Sequence, residues 1–397
     1  MHQNSETIEI PDKIKAIMKI GILTILYRKN YGGMLQCIAL QNVLINYGHN
    51  VEVIRYRPKK KNKGLIKQLL FSTPRECINK LKSIIANFRP RHLCDFGDFY
   101  KNNQSFIKEN INYTEECDED SIGKLIEKHN YDIIVIGSDK VWGGISQKQL
   151  TYFGEWYPNF KGQIISYAAC SSRTMVPLFN RKKITLLFNK FKAISVRDEH
   201  TKLLFSPFTF HDIKIVSDPT LLYSFSIPDH ICQDNEPYIL TYILGDTIKG
   251  GHGQLLKDLK EIIKVKRIKA VVIPNTSLDV TIYADEIINF ATPFEWLSLI
   301  KNAAFVYTDS YHGLLFSLRL RKQYLGYYSE TARSTRLLDL KRTYDAPNIV
   351  SSYLDFKQNY HQISDNDFER INQLFSNTVE MSKMFLEKNL FQHESCE

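Results

Sequence analysis

The sequence has no Cys-x-x-Cys pair, and its seven cysteines, Cys37, Cys77, Cys94, Cys117, Cys170, Cys232 and Cys396, are scattered and odd in number. That pattern excludes the paired thiols of metal or redox work and reads as reduced cysteines. No stretch approaches the roughly 18 apolar residues of a spanning helix. Residues 1–17 also lack the continuous apolar core of a signal peptide. The expectation is a cytoplasmic protein, soluble or peripheral at the inner face of a membrane. Neither zinc-finger spacing nor a nucleic-acid-binding repeat occurs, so no nucleic-acid partner is expected. The Gly-x-Gly-x-x-Gly fingerprint is missing, which removes the argument for NAD. No first shell for a metal is visible, and neither metal nor cofactor is expected.

What is present is ordinary globular material, 43% hydrophobic and 24% charged over 397 residues. That length exceeds what one core usually serves, so two domains are expected. The 52 Lys and Arg outnumber 43 Asp and Glu, a formal charge of +9 that suits a phosphorylated substrate or an acidic membrane surface. An apolar strand at 18–24, a polar turn, a helix from Met34 with Leu35, Ile38, Ala39, Leu40 and Val43 buried, and a strand at 51–56 form a βαβ unit. More apolar strands follow at 131–136, 164–169, 193–198 and 213–219. The pattern restarts at 238–245, with strands at 270–274 and 323–326 and helices near 254–263, 293–301 and 365–386. The fold class expected is α/β. Residues 18–228 form one Rossmann-like domain with a basic helical insertion near 60–120. Residues 237–345 form a second, joined through a polar linker at 228–237. A tail at 346–397 holds a helix placed to return to the first domain. The basic stretch 55–67 with the leucines after it reads either as a surface for an acidic bilayer or as a solvated loop.

The polar strand exits carry the chemistry. Phe305-Val306-Tyr307-Thr308 runs into Asp309-Ser310-Tyr311-His312-Gly313 and then into helically spaced leucines, a strand-to-helix junction holding His312. Imidazole titrates near neutrality and serves as acid or base. The helix-start N–H groups around Ser310 and Gly313 favour an anion. The same letters also fit a capped helix whose histidine fills a turn. Arg197 leaves another strand, and its forked donors match carboxylate or phosphate. Arg333 and Arg336 add fixed charge from a loop; each is equally readable as a salt-bridge residue. Asn30, Tyr31, Gly32 and Gly33 form a turn in which backbone can approach a ligand closely. Asp139, Lys140 and Trp142 share an exit loop in which a carboxylate beside an indole suits a sugar or, equally, fills a core gap. A Ser-His-Asp reading of Ser310, His312 and Asp309 is poor, because three residues of one tight turn rarely face one another.

Six phrases taken together resemble the polysaccharide pyruvyl transferase family, in order from about Lys19 to about Leu340. They are Asn30-Tyr31-Gly32-Gly33-Met34-Leu35-Gln36, Gly137-Ser138-Asp139-Lys140-Val141-Trp142, Ser166-Tyr167-Ala168-Ala169, Ser195-Val196-Arg197-Asp198, Ser217-Asp218-Pro219-Thr220-Leu221-Leu222 and Thr308-Asp309-Ser310-Tyr311-His312-Gly313. The resemblance implies a GT-B-like pair of Rossmann-type domains with parallel sheets facing across a cleft. It implies transfer of pyruvate from phosphoenolpyruvate to a sugar of a bacterial surface polysaccharide or its precursor, free or undecaprenyl-linked, as a cyclic ketal. On that basis His312 is expected to do acid/base work. Arg197, Ser310, Gly313, Arg333 and Arg336 are expected to hold the donor. Asn30, Tyr31, Gly32, Gly33, Asp139, Lys140 and Trp142 are expected on the acceptor side. Lys140, Gly143 and Tyr311 depart from the usual phrases. A nucleotide-sugar glycosyltransferase and a non-enzymatic scaffold of polysaccharide assembly are the rival expectations.

Overall fold

The computed structural model describes residues 16–26, 30–59, 96–145, 149–156, 160–227, 236–245, 247–274, 276, 278–328 and 334–391. Arg333, residues 60–95 of the expected insertion and most of the expected linker lie outside that range.

Two parallel sheets carry the fold. The first contains β1 (Lys19–Leu23), β2 (Asn50–Val53), β3 (Ile133–Ile136) and β4 (Gln163–Ser166) in the order β2-β1-β3-β4. The short pair β5 (Ser195–Val196) and β6 (Lys214–Ile215) continues it through the bridges Ile165–Ala193 and Ala169–Val196. The second sheet has β7 (Tyr238–Tyr242), β8 (Arg267–Val272), β9 (Glu286–Asn289), β10 (Phe305–Thr308), β11 (Tyr324–Tyr327) and β12 (Ile349–Val350) in the order β12-β11-β10-β7-β8-β9. Strands such as Ile133–Ile136 and Phe305–Thr308 are buried throughout, because helices cover both faces of each sheet.

Counted within its own half, the second sheet has the doubly wound order 3-2-1-4-5-6, whose direction of winding reverses between β7 and β10. In the first sheet the reversal lies between β1 and β3. Ligands of open α/β sheets bind at such points, outside the carboxyl ends of the strands. Both crevices are bridged by side chains: the Thr24 hydroxyl donates to the Ser138 carbonyl at 3.1 Å, and the Leu244 N–H donates to Asp309 Oδ1 at 2.6 Å.

The helices in chain order are α1 (Tyr31–Asn46), α2 (Phe96–Asn110), α3 (Ile122–His129), α4 (Leu178–Phe188), α5 (Glu199–Phe205), α6 (Pro219–Leu222), α7 (Gly253–Ile263), α8 (Leu278–Thr281), α9 (Pro293–Asn302), α10 (Tyr311–Arg319), α11 (Ser334–Thr343), α12 (Tyr353–Asn359) and α13 (Asp365–Leu390). Their starts follow local chemistry. Asn30 caps α1, and Thr292 with Glu295 forms a capping box ahead of Pro293 in α9. Helix α1 is buried on nearly every side because it packs against α6 and, across the cleft, against α9. Tyr31 at its start stacks on Tyr242 with ring centres 5.6 Å apart and also meets Trp296. Helix α13 straps the halves together. Phe368, Ile371 and Phe375 enter the core with Leu337 and Leu340, while Phe385, Leu386 and Leu390 enter the core with Ile20 and Leu40. Among the described residues no helix is long and apolar enough to cross a membrane.

The described cations at the start of the basic stretch are ion-paired. Arg55 and Arg57 lie 3.4 and 3.5 Å from Glu116, and Lys59 lies 3.2 Å from Asp118. Lys60, Lys61, Lys63 and Lys67 are outside the described residues.

Candidate active site

The site is assembled from strand exits of both sheets. After β10, Ser310 caps α10 by accepting the Gly313 N–H at 3.2 Å, which fixes His312 in the first turn of the helix. A Cβ on Gly313 would lie 2.9 Å from Thr308 Oγ1, so the glycine here admits the turn's own side chains rather than a ligand. His312 is only 5% exposed. Its Nε2 lies 3.2 Å from Asp218 Oδ2, which reaches across from the segment after β6. The other face of the ring meets α1: a Cβ on Gly32 would fall 2.3 Å from His312 Cγ and Nδ1. Gly32 is therefore a glycine because the histidine of the opposite half occupies the space beside it.

Asp218 is the hub. Its Oδ1 accepts from the Thr220 N–H at 3.0 Å and the Thr220 hydroxyl at 2.8 Å, capping α6. Its Oδ2 accepts from Arg197 Nη1 at 2.7 Å as well as facing His312. Burial alone would raise this carboxyl. The positive charges of His312 and Arg197 and the Thr220 N–H outweigh burial and hold it well below the usual carboxylate range. Arg197 is equally enclosed. Its Nη2 donates to Cys170 Sγ at 3.0 Å and lies 3.5 Å from Asp139 Oδ1, and its guanidinium carbon sits 4.2 Å from the Tyr311 ring centre. Its buried Nε has no hydrogen-bond partner among the described residues. The Cys170 thiol is pushed up to about 11, mainly by burial, against the opposing charges of Arg197 and Arg336. Asp139 and Ala168, at the exits of β3 and β4, have φ of 67° and 48°, left-handed conformations that non-glycine residues seldom take and that concentrate at functional sites.

The expected residues thus divide. His312, Arg197 and Asp139 come together, and Arg336 stands near enough to act on Cys170. Ser310 and Asn30 are helix caps; Asn30 Oδ1 accepts the Gly33 N–H at 2.7 Å. Lys140, half-buried, precedes a short 3-10 turn at Val141–Gly144. Three of the expected residues are enclosed in this arrangement. Trp142 is fully buried, stacked on Phe153 and packed against Phe188 and Phe205, with Nε1–H donating to the Tyr152 carbonyl, so it offers no face to a sugar. Tyr31 is likewise fully buried and belongs to the aromatic contact between the halves. The terminal nitrogens of Arg197 face Asp218, Cys170 and Asp139, so in this arrangement its fork does not present itself to a substrate. The role of Asp218 was missed, although Ser-Asp-Pro-Thr after a strand is a capping signal whose second carboxylate oxygen remains available.

With this geometry in view, the sequence profile of the polysaccharide pyruvyl transferases matches residues 30–329. The chain belongs to that family. It is accordingly a transferase of polysaccharide biosynthesis with a sugar acceptor. No curated protein matches it significantly. Among solved structures, a UDP-GlcNAc 2-epimerase from Methanocaldococcus jannaschii aligns at 13% identity over 91% of this chain and 93% of its own, with a TM-score of 0.50. The Arabidopsis thaliana protein UGT89C1, complexed with UDP-L-rhamnose, aligns at 12% identity over 95% and 98%, with a TM-score of 0.52. At such identities the likeness establishes the fold alone, and that fold is GT-B. Among the described residues of this pyruvyl transferase homologue, no three His, Cys, Asp or Glu side chains converge as a metal site requires.

Proposed function

We propose that this enzyme transfers pyruvate from phosphoenolpyruvate to two hydroxyls of one sugar in a surface polysaccharide or its lipid-linked precursor, forming a cyclic ketal. The observation that carries the reading is the contact of His312 from one half with the Asp218–Arg197 pair of the other, at the carboxyl edges of both sheets. With Nε2 turned to Asp218, Nδ1 beside Gly32 is the nitrogen that moves a proton. His312 protonates the methylene carbon, the central carbon becomes electron-poor, and a sugar hydroxyl adds to it. Phosphate departs and the second hydroxyl closes the ring. One hydroxyl proton ends on the new methyl group and the other leaves with phosphate. Arg336 and Arg333, with the N–H groups at the start of α10, hold the donor's anionic groups. Arg197 fixes Asp218 and adds positive potential rather than gripping the substrate. His312 is enclosed here, so the halves part to admit substrate.

Purified protein is incubated with phosphoenolpyruvate and a panel of free and undecaprenyl-linked glycans. The expected result is phosphate release matched by an acceptor whose mass gains a pyruvate ketal. Nucleoside diphosphate release from a sugar nucleotide, with no phosphoenolpyruvate consumed, would contradict it.

A further inference from the structure

Helix α4 carries apolar side chains on both faces. Ile184, Leu187 and Phe188 are buried in the core of the first half. On the opposite side, Leu178 is 76% and Leu186 56% exposed. At 3.6 residues per turn, Leu178, Lys182 and Leu186 form one row, and all three face solvent. The turn Ser206–Phe208 packs against both α4 and α5, and beside it Leu203 is 67% and Phe210 95% exposed. Single exposed leucines need no explanation; this concentration, interleaved with lysine, does.

The surrounding charge selects the partner. Across residues 173–214, apart from the buried pair Arg197 and Asp198, eight Lys and Arg stand against Glu199 and Asp212; of the eight, Lys183 is paired with Glu155 and Lys214 with Asp212. Apolar groups set among lysines on one surface are the chemistry of an interface with anionic headgroups. The position also fits. The segment that starts α4 leaves β4 at the site, passing Cys170 beside Arg197 before reaching Pro177, the residue ahead of the helix.

We propose that this face of the first half docks on an anionic lipid bilayer. Leu178, Leu186, Leu203 and Phe210 enter the headgroup boundary, and Lys182 and its basic neighbours meet lipid phosphates. Docking there turns the exit loop of β4, and with it the mouth of the cleft, toward the membrane surface. This goes beyond the pyruvyl-transfer reading and is tested apart from it, because the readout uses neither phosphoenolpyruvate nor acceptor.

The test is co-sedimentation of the full chain with vesicles of phosphatidylcholine, with and without phosphatidylglycerol. Binding is expected only to the anionic vesicles and should weaken as salt rises. The double substitution Leu178→Glu, Leu186→Glu should lower the vesicle-bound fraction roughly tenfold with an unchanged far-ultraviolet spectrum, and Leu203→Glu, Phe210→Glu should do the same from the neighbouring elements. Absence of binding to anionic vesicles would overturn the proposal. So would retention of binding in both variants, and its loss in Lys60→Gln, Lys61→Gln would then assign the binding to the basic stretch. A dimer in sedimentation velocity that these leucine substitutions dissolve would instead assign the face to a second copy of the chain.

Discussion

At the scale of single residues, the site is an ion-paired cluster built around one carboxylate. Asp218 uses one oxygen to cap its own helix and the other to face both Arg197 and His312. Asp218→Asn keeps the side chain's size but removes the charge opposite the imidazole and turns an amide NH2 toward groups that donate to the carboxylate. The expected outcome is a fall in kcat of about 10²-fold with KM for the donor little changed, read by steady-state kinetics; a purely structural role would lower the active fraction and leave kcat per folded site intact. Arg197→Met takes the guanidinium from beside Asp218 and Asp139, a loss of about 3–5 kcal/mol for breaking one side of a buried pair, visible as a lower denaturant midpoint. That His312 and Arg197 sit at strand exits could be read from the short apolar runs before them. Asp218 was not assigned its role because its partners lie 21 and 94 residues away, distances that no local pattern records. The burial of Trp142 was missed for the opposite reason. The letters around it are polar, but the indole turns away from them into Phe153, Phe188 and Phe205.

At the scale of elements, glycine placement separates contact from convenience. Gly32 lies against the His312 ring, whereas a Cβ on Gly123 in α3 would meet nothing within 4 Å. Gly32→Ala is expected to push α1 or the ring out of place and to reduce turnover by more than about tenfold, a loss of roughly 1.4 kcal/mol in transition-state stabilisation. Gly123→Ala should keep activity and raise stability by about 0.4–1 kcal/mol, as measured by denaturant unfolding. The strands were the most readable elements, since β3, β7 and β10 are apolar on both faces and short. The helix α2 was not placed by its letters, because the sequence there is polar, and among its described residues Phe99 and Phe106 enter the neighbouring cores. Helix α4 was equally silent, since apolar residues on both faces erase the period that marks a one-sided helix.

At the scale of the whole molecule, two Rossmann-type halves are held together by α13 and by buried charge. One of those contacts is unfavourable when ionised. Burial, and then Asp198 across the interface, push the Asp339 carboxyl up to about 6, although the Glu199 N–H and the charges of Arg342 and Arg197 oppose the rise. A carboxyl raised above its unfolded value of about 3.9 binds more protons in the native state. Its contribution to stability is therefore complete below that value and is lost as pH rises through 6. Asp339→Asn is expected to raise Tm at pH 8 and to leave it unchanged near pH 4, by thermal melts across that range. The two-domain plan could be anticipated because the strand–helix alternation stops and restarts. How closely the halves meet could not, since Gly32, Asp218 and His312 touch only once both sheets are folded.

The account stands on a proton passing through His312 to carbon, and isotope transfer reads that step directly. When the wild-type enzyme runs in heavy water with phosphoenolpyruvate and its sugar acceptor, the pyruvate methyl of the product should carry one solvent deuteron, and His312→Ala should form no product while keeping its folded spectrum. A product methyl without deuterium, or a His312→Ala enzyme that turns over at the wild-type rate, would contradict it.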